Sequence, residues 1–62
     1  MRIENLISFE GKKVKVILRN NRILQGLLLL QGNVVLIKDS EKHAVLLIPQ
    51  EITQIELLEE VD

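Results

Sequence analysis

Two apolar runs, Ile23–Leu30 and Val34–Ile37, dominate the middle of this chain and limit the folds open to it. The residues between them, Gln31-Gly32-Asn33, are typical of a tight turn. Each run has the length of a strand, so the sequence predicts a β-hairpin. Neither run alternates cleanly, and Leu27–Leu30 in the first run places leucine on both faces of a sheet. We therefore expect the hairpin to be covered on both sides.

The size of the chain predicts one small domain, spanning residues 1–62. Such a domain buries only about 60% of the surface that its unfolded chain exposes, so its stability is marginal. Cysteine is absent and histidine occurs once, which excludes a disulfide and argues against a protein-built zinc site. Leu, Ile and Val are abundant while Phe9 is the only aromatic residue. We expect the missing stability to come from self-association, and we expect no cofactor.

The charge is nearly balanced, at −1, which argues against a protein whose whole surface attracts nucleic acid. The basic residues are nevertheless concentrated in one span without acids, at Lys12, Lys13, Lys15, Arg19 and Arg22. The first residues lack the apolar core of a signal peptide, and the longest apolar region falls short of the roughly 20 residues that a membrane helix needs. We therefore expect a soluble, cytoplasmic protein without a membrane partner.

The N-terminal half predicts a short helix and a first strand. Ile3, Leu6 and Ile7 have the spacing of one helical face, and the helix should end before Gly11. From Lys13 the apolar period becomes two, so that Val14, Val16 and Leu18 share one face of a strand. A tight turn at Asn20-Asn21 leads into the second strand, over Arg22–Leu30. Gly26 within that strand indicates a bend or a close backbone approach.

The C-terminal half predicts three more strands. The third spans Val34–Lys38, and the fourth spans His43–Ile48 with apolar residues on both faces. Pro49 ends the fourth strand because it has no N–H to donate, and residues 49–51 form a one-turn connector. The fifth strand spans Thr53–Leu58, with Ile55 and Leu57 pointing inward. The fold class is therefore mainly β: a short N-terminal helix followed by five antiparallel strands.

This order of elements, together with two motifs, resembles the Sm-like fold of the Sm, LSm and Hfq proteins over nearly the whole chain. The first motif corresponds to the strand Gly11–Leu18, the glycine at position 26 and the segment Asn33–Asp39, and the second corresponds to Leu46–Ile55. The Ile48-Pro49 turn is most similar to that of small bacterial Sm-like proteins. The resemblance implies a small SH3-like open barrel with bent strands.

Two departures from the family pattern lie where its members bind RNA. RNA-binding members carry an aspartate in the first motif where this chain has Gln31-Gly32, and many carry Arg-Gly where it has Ile48-Pro49. The Lys42-His43-Ala44 segment resembles Hfq, but that alignment would leave only three strands before Ala44–Ile48. We therefore adopt the alignment that makes this segment the fourth strand of five.

The resemblance implies a homo-oligomeric ring in which strand four of one copy pairs with strand five of the next. The residues expected at that interface are Ala44, Leu46, Ile48, Ile55 and Leu57. Basic residues of the first hairpin and acids near the last strand are expected to steer copies together.

Two functions are open at this point. The first is a self-assembling scaffold or adaptor with a protein partner. The alternative is an RNA-binding ring, of the RNA-chaperone or ribonucleoprotein type. Its weakly indicated contacts are Asn33, Lys12, Lys13, Lys15, Arg19 and Arg22. Because no nucleophile–base pair, phosphate-binding loop or metal-ligand spacing is present, we do not expect an enzyme. His43 is expected to be an exposed residue at a strand start.

Overall fold

A computed structural model of the chain describes residues 1–39, 41 and 43–59. It is mainly β, with five antiparallel strands in one sheet after a short N-terminal helical segment. The strands follow the order β4-β3-β2-β1-β5, so the sheet is open and β4 and β5 are its edges. The five strands are β1 (Lys13–Leu18), β2 (Ile23–Gln31), β3 (Val34–Lys38), β4 (Ala44–Leu47) and β5 (Ile52–Glu59).

Strand β2 changes its partners along its length, and Gly26 makes this change possible. Its first half pairs with β1 as far as Leu27, and its second half pairs with β3 from Leu27 onward. A Cβ atom at Gly26 would lie 2.8 Å from the carbonyl carbon of Lys38 and closer still to its oxygen. Only glycine fits so near another backbone. The close approach predicted at this glycine is confirmed.

Among the described residues, the buried side chains of the core are aliphatic and lie against one face of the sheet. Cross-strand partners share a face, so the register identifies the core-facing residues, such as Leu28 opposite Ile37 and Val35 opposite Leu47. Leu6 from the helical segment is also fully buried. The buried set is Leu6, Val14, Val16, Leu18, Leu28, Val35, Ile37, Leu47 and Ile52.

The hairpin of β2 and β3 is buried on one side only within the described part of the chain, which differs from the expected double cover. Leu28 is fully buried on the core face. Leu29 and Leu36, paired on the outer face, are only half-buried, and Leu46 beside them on β4 is 68% exposed. The leucines of the outer face therefore keep part of their surface in solvent.

The N-terminal helix was predicted with the wrong period. The segment forms two successive 3₁₀ turns, Ile3–Asn5 and Ile7–Phe9, instead of an α-helix. A 3₁₀ helix has three residues per turn, so residues three apart share its face. Accordingly Leu6 is buried, and Phe9 packs against the core, while Ile7 is 58% exposed.

The predicted turns and strand limits are close to those observed. Asn21 has a positive φ of 66° in the β1–β2 turn, and Pro49–Glu51 forms one 3₁₀ turn. The fourth strand is shorter than predicted, because the ladder with β3 covers only Ala44–Leu47. The fifth is longer, and it runs from Ile52 to Glu59. The prediction that the segment at residues 44–47 is the fourth of five strands is confirmed.

Two β-bulges interrupt the pairing of β5 with β1. Leu18 and Ile17 pair with Ile52 and Gln54, which leaves Thr53 as an extra residue. Leu58 is the second extra residue, because Val14 pairs with Leu57 and Lys13 pairs with Glu59. The Thr53 hydroxyl donates a hydrogen bond to the Ile17 carbonyl oxygen at 2.9 Å, which stabilises the first bulge.

Candidate functional site

Exposed apolar side chains are concentrated on the two edges of the sheet. Seven large hydrophobic side chains of the described residues are exposed, and five belong to β4, β5 or the residue that follows β4. Those five are Val45, Leu46, Ile48, Leu57 and Leu58. A small domain exposes single apolar residues routinely, but here they are concentrated along the two unpaired edges of the sheet.

Two of these side chains point toward the core and still reach solvent. Val45 lies opposite Ile37, and Leu57 lies opposite Val14, so both belong to the core face. Their partners are buried, whereas Val45 is 38% exposed and Leu57 is 42% exposed. Leu57 therefore points inward, as the sequence predicted. It is not buried, because an edge strand has a neighbour on one flank only.

The residues predicted at an oligomer interface all lie on or beside the two edges. Ala44 and Leu46 are exposed on the outer face of β4, and Ile48 follows this strand directly. Ile55 is half-buried opposite Val16, next to Leu57 on β5. The sheet places these residues on two separate edges, so a contact between the sets requires two copies or a closure of the sheet. Their interface role stays a prediction.

The acids of β5 are neighbours of the basic residues of β1 in the same chain. Lys15 lies opposite Glu56, and Lys13 lies opposite Glu59. Opposite charges on directly paired positions attract each other across the ladder. The acids therefore offset the positive charge of this face within one chain, and steering between copies stays a prediction.

A cleft of about 300 Å³ forms where three distant segments meet. Its floor and walls combine the N-terminal segment, the β2–β3 turn and the turn between β4 and β5. The lining residues are Arg2, Ile3, Glu4, Asn33, Ile48, Pro49 and Gln50. The amides of Asn33 and Gln50 offer donors and acceptors, while Arg2 and Glu4 contribute opposite charges. Such a lining suits a small polar or zwitterionic group better than a dense array of phosphates.

Hydrogen bonds to backbone carbonyl oxygens hold the walls of this cleft together. The amino group of Met1 donates to the carbonyl oxygens of Pro49 and Ile52, each at 3.1 Å. The Arg19 Nε donates to the Gln50 carbonyl oxygen at 2.7 Å, and its backbone N–H donates to Glu51 at 2.9 Å. Arg19 therefore fixes the β4–β5 turn and lies next to the cleft.

The six residues predicted for nucleic-acid binding do not form one site. Asn33 lines the cleft, and Arg19 contacts the cleft wall. Arg22 is exposed in the β1–β2 turn, where its N–H donates to the Asn20 side chain at 3.0 Å. The lysines are elsewhere, with Lys13 and Lys15 on the outer face of β1 and Lys12 beside Leu28 of β2.

The sequence did not indicate the polar cleft residues Arg2, Glu4 and Gln50. Gln50 directly follows Pro49 in the predicted connector between the fourth and fifth strands, and that position was the available signal. Arg2 had no such signal, because its placement depends on the N-terminal segment folding back onto residues 49–52.

His43 lies on the surface, as predicted, with a side chain that is 74% exposed. Its Nδ1 is 3.7 Å from Glu41 and 3.8 Å from Asp39.

Among the residues that the structure describes, no group of three or more His, Cys, Asp or Glu side chains is arranged to hold a metal ion. Within the same residues, none of the helices has the length and apolar character that crossing a membrane requires.

Three comparisons with known proteins gave no match: no family model, no curated protein and no solved structure is significantly similar to this chain.

Proposed function

We propose that this chain is a non-enzymatic, Sm-like module that assembles with copies of itself by pairing β4 of one copy with β5 of the next. The assembly would act as a scaffold or adaptor. The observation that carries the proposal is the concentration of exposed apolar side chains on β4 and β5. These are the strands through which Sm-like proteins form rings.

The topology favours a second copy over closure within one chain. All neighbouring strands are antiparallel, so β4 and β5 have the same direction at the two ends of a five-stranded row. Closing the sheet on itself would pair them in parallel, which is slightly less stable per residue than antiparallel pairing. A second copy can present its β5 in the antiparallel direction. A repeated contact of this heterologous kind gives a closed ring when the rotation closes.

The proposal is tested by measuring the mass of the native assembly at micromolar concentration. We expect a multiple of the 7.1 kDa chain. Leu57→Lys places a charge on the edge and should shift the mass toward that of the monomer. Ile23→Lys is the matched control, because Ile23 is also exposed but lies on β2. A monomeric wild type, or equal dissociation by both variants, contradicts the proposal.

A second candidate is an RNA-binding ring, favoured by one specific observation. Asn33, one of the predicted nucleic-acid contacts, shares its cleft with Arg2 and Gln50. Arg19 lies against the same turn. A ring would repeat this cleft once per copy, so that weak contacts with successive nucleotides add up.

Binding to oligo-U and oligo-A at two salt concentrations separates the two candidates. An RNA-binding ring should bind one of them with an affinity that falls as salt rises. Asn33→Ala should then weaken binding, while Asn21→Gly should not. Asn21 is an exposed asparagine outside the cleft, and its positive φ suits glycine. No binding to either oligonucleotide at low salt leaves the scaffold as the function.

A further inference from the structure

The edge strand β5 is divided by its own irregularities. Bulges at Thr53 and Leu58 bracket the four residues Gln54–Leu57, which pair regularly with β1. Bulges interrupt a ladder and twist an edge strand, so they limit how far another strand can pair along it. The regular window on β5 is thus four residues long. Strand β4 is also four residues long, at Ala44–Leu47.

The two segments also match in the way they alternate between faces. Ile55 and Leu57 lie on the core face of β5, opposite buried residues of β1. Val45 and Leu47 lie on the core face of β4, opposite buried residues of β3. Each segment therefore presents two apolar core-facing side chains two residues apart.

We propose that the two bulges fix one register for the pairing of two copies, with Val45 opposite Leu57 and Leu47 opposite Ile55 on the core face. Leu46 then lies opposite Glu56 on the outer face, and Ala44 lies just outside the regular window, opposite the bulge residue Leu58. This inference rests on the proposed self-assembly and adds the alignment of the strands. It covers with apolar side chains the two core-facing residues, Val45 and Leu57, that a single copy leaves partly in solvent.

Other registers are worse for identifiable reasons. A slip of one residue would place core-facing residues opposite outer-facing ones along the whole ladder. A slip of two residues in one direction would place Leu47 opposite the bulge residue Thr53. A slip of two residues in the other direction would place Val45 opposite Glu59, beyond the second bulge. The proposed register is the one that keeps both pairs between the bulges.

The charge of the edges also favours β4 as the partner of β5. β4 has no charged residue, whereas β5 carries Glu56 and Glu59. A β5–β5 contact that paired Ile55 with Leu57 would place Glu56 directly opposite Glu56, which is destabilising. A β4–β4 contact would leave Leu57 uncovered in both copies. The structure thus favours a heterologous contact over a two-fold one.

Cysteine cross-linking tests this register directly, because the chain contains no cysteine of its own. The Cα atoms of directly opposite residues in an antiparallel pair are about 4.5–5.5 Å apart, within the range of a disulfide. We expect a mixture of Val45→Cys and Leu57→Cys copies to form a covalent dimer on mild oxidation. Neither variant should do so alone. Leu46→Cys mixed with Leu57→Cys is the control, because these side chains lie on opposite faces.

The outcomes separate the register from the assembly itself. An oligomeric protein that cross-links through Leu46→Cys and Leu57→Cys, or not at all, overturns the register and leaves the assembly standing. Dimers formed by Val45→Cys alone overturn the heterologous contact. A wild type that stays monomeric by native mass overturns the proposed function as well. Native mass measurements on each reduced variant show that it still assembles before oxidation.

Discussion

Strands β3 and β4 lie side by side and consist mainly of the same aliphatic residues, yet their burial is different. Val35 and Ile37 of β3 are almost completely buried. On β4, Leu47 is buried as well, but Val45 is more than one third exposed although it lies directly opposite Ile37 on the core face. Ile37 and Val45 are both aliphatic and share the core face, so the difference in their burial does not come from composition or orientation. It comes from position, because β3 has a neighbour on each flank and β4 has only one.

The opposite side of the sheet repeats this contrast. Val14 of β1 is fully buried, while Leu57, its partner on β5, is 42% exposed. Both edges thus carry aliphatic side chains that the single chain does not use for its own core. Edge strands in natural proteins usually carry charges or are covered. The uncharged β4 edge departs from this pattern, which supports a covering strand from a second copy.

The largest effect is expected in the central strands, at Gly26. Gly26→Val would place a side chain against the Lys38 carbonyl group, and we expect a loss of about 3 kcal/mol in the free energy of unfolding. Gly32→Asn is the control, because its Cβ would meet open space and asparagine tolerates its φ of 58°. Chemical denaturation measures both. Equal losses would mean that Gly26 is not a close contact.

A pair of leucines compares the central and edge strands directly. Leu28 of β2 is fully buried, and Leu46 of β4 is 68% exposed. We expect Leu28→Ala to cost about 3 kcal/mol of unfolding free energy and Leu46→Ala less than about 0.5 kcal/mol. Both should be measured by denaturation in the Leu57→Lys background, where association is expected to be blocked. A cost for Leu46→Ala near that of Leu28→Ala would refute the contrast.

A pair of valines sharpens the same contrast on a single face. Val35 and Val45 both point toward the core, from β3 and β4 respectively. Val35→Ala should cost about 2 kcal/mol, since two buried methyl groups are lost, and Val45→Ala about half of that. The same denaturation experiment in the same background applies. If Val45→Ala costs as much as Val35→Ala, the edge position does not reduce burial in solution.

The smallest effect is expected at the first bulge of β5. Thr53→Val keeps the side-chain shape and removes the hydroxyl that donates to the Ile17 carbonyl. We expect a loss of about 0.5–1 kcal/mol, typical of one hydrogen bond at an exposed site. Thr53→Ser keeps the donor and should recover most of the stability. Equal stability of the three proteins would show that this bond does not fix the bulge.

Much of the fold was predictable because its signals are local. The alternation of Val14, Val16 and Leu18, the Asn20-Asn21 turn and Pro49 each act over a few residues, and the strands and turns lie close to where they predict. The 3₁₀ period of the N-terminal segment was missed, because Ile3, Leu6 and Ile7 fit an α-helix equally well. The exposure of Leu57 was missed too, because it depends on which strands form the edges of the sheet.

The candidate site was predicted less completely, for a physical reason. Asn33 could be singled out from its turn, but its cleft neighbours Arg2 and Gln50 come from segments far away in the sequence. The basic run from Lys12 to Arg22 suggested one surface. Strand alternation and the pairing of β1 with β5 instead place Lys13 and Lys15 beside acids, away from the cleft.

Amide hydrogen exchange at increasing protein concentration tests most directly whether strands of a second copy pair with the two edges of the sheet. The account predicts that protection of residues 44–47 and 54–57 rises with concentration, while that of the central strand β2 stays constant. Leu57→Lys should abolish the concentration dependence. Edge amides that exchange at the same rate from low to high concentration, in an otherwise folded protein, would contradict the account.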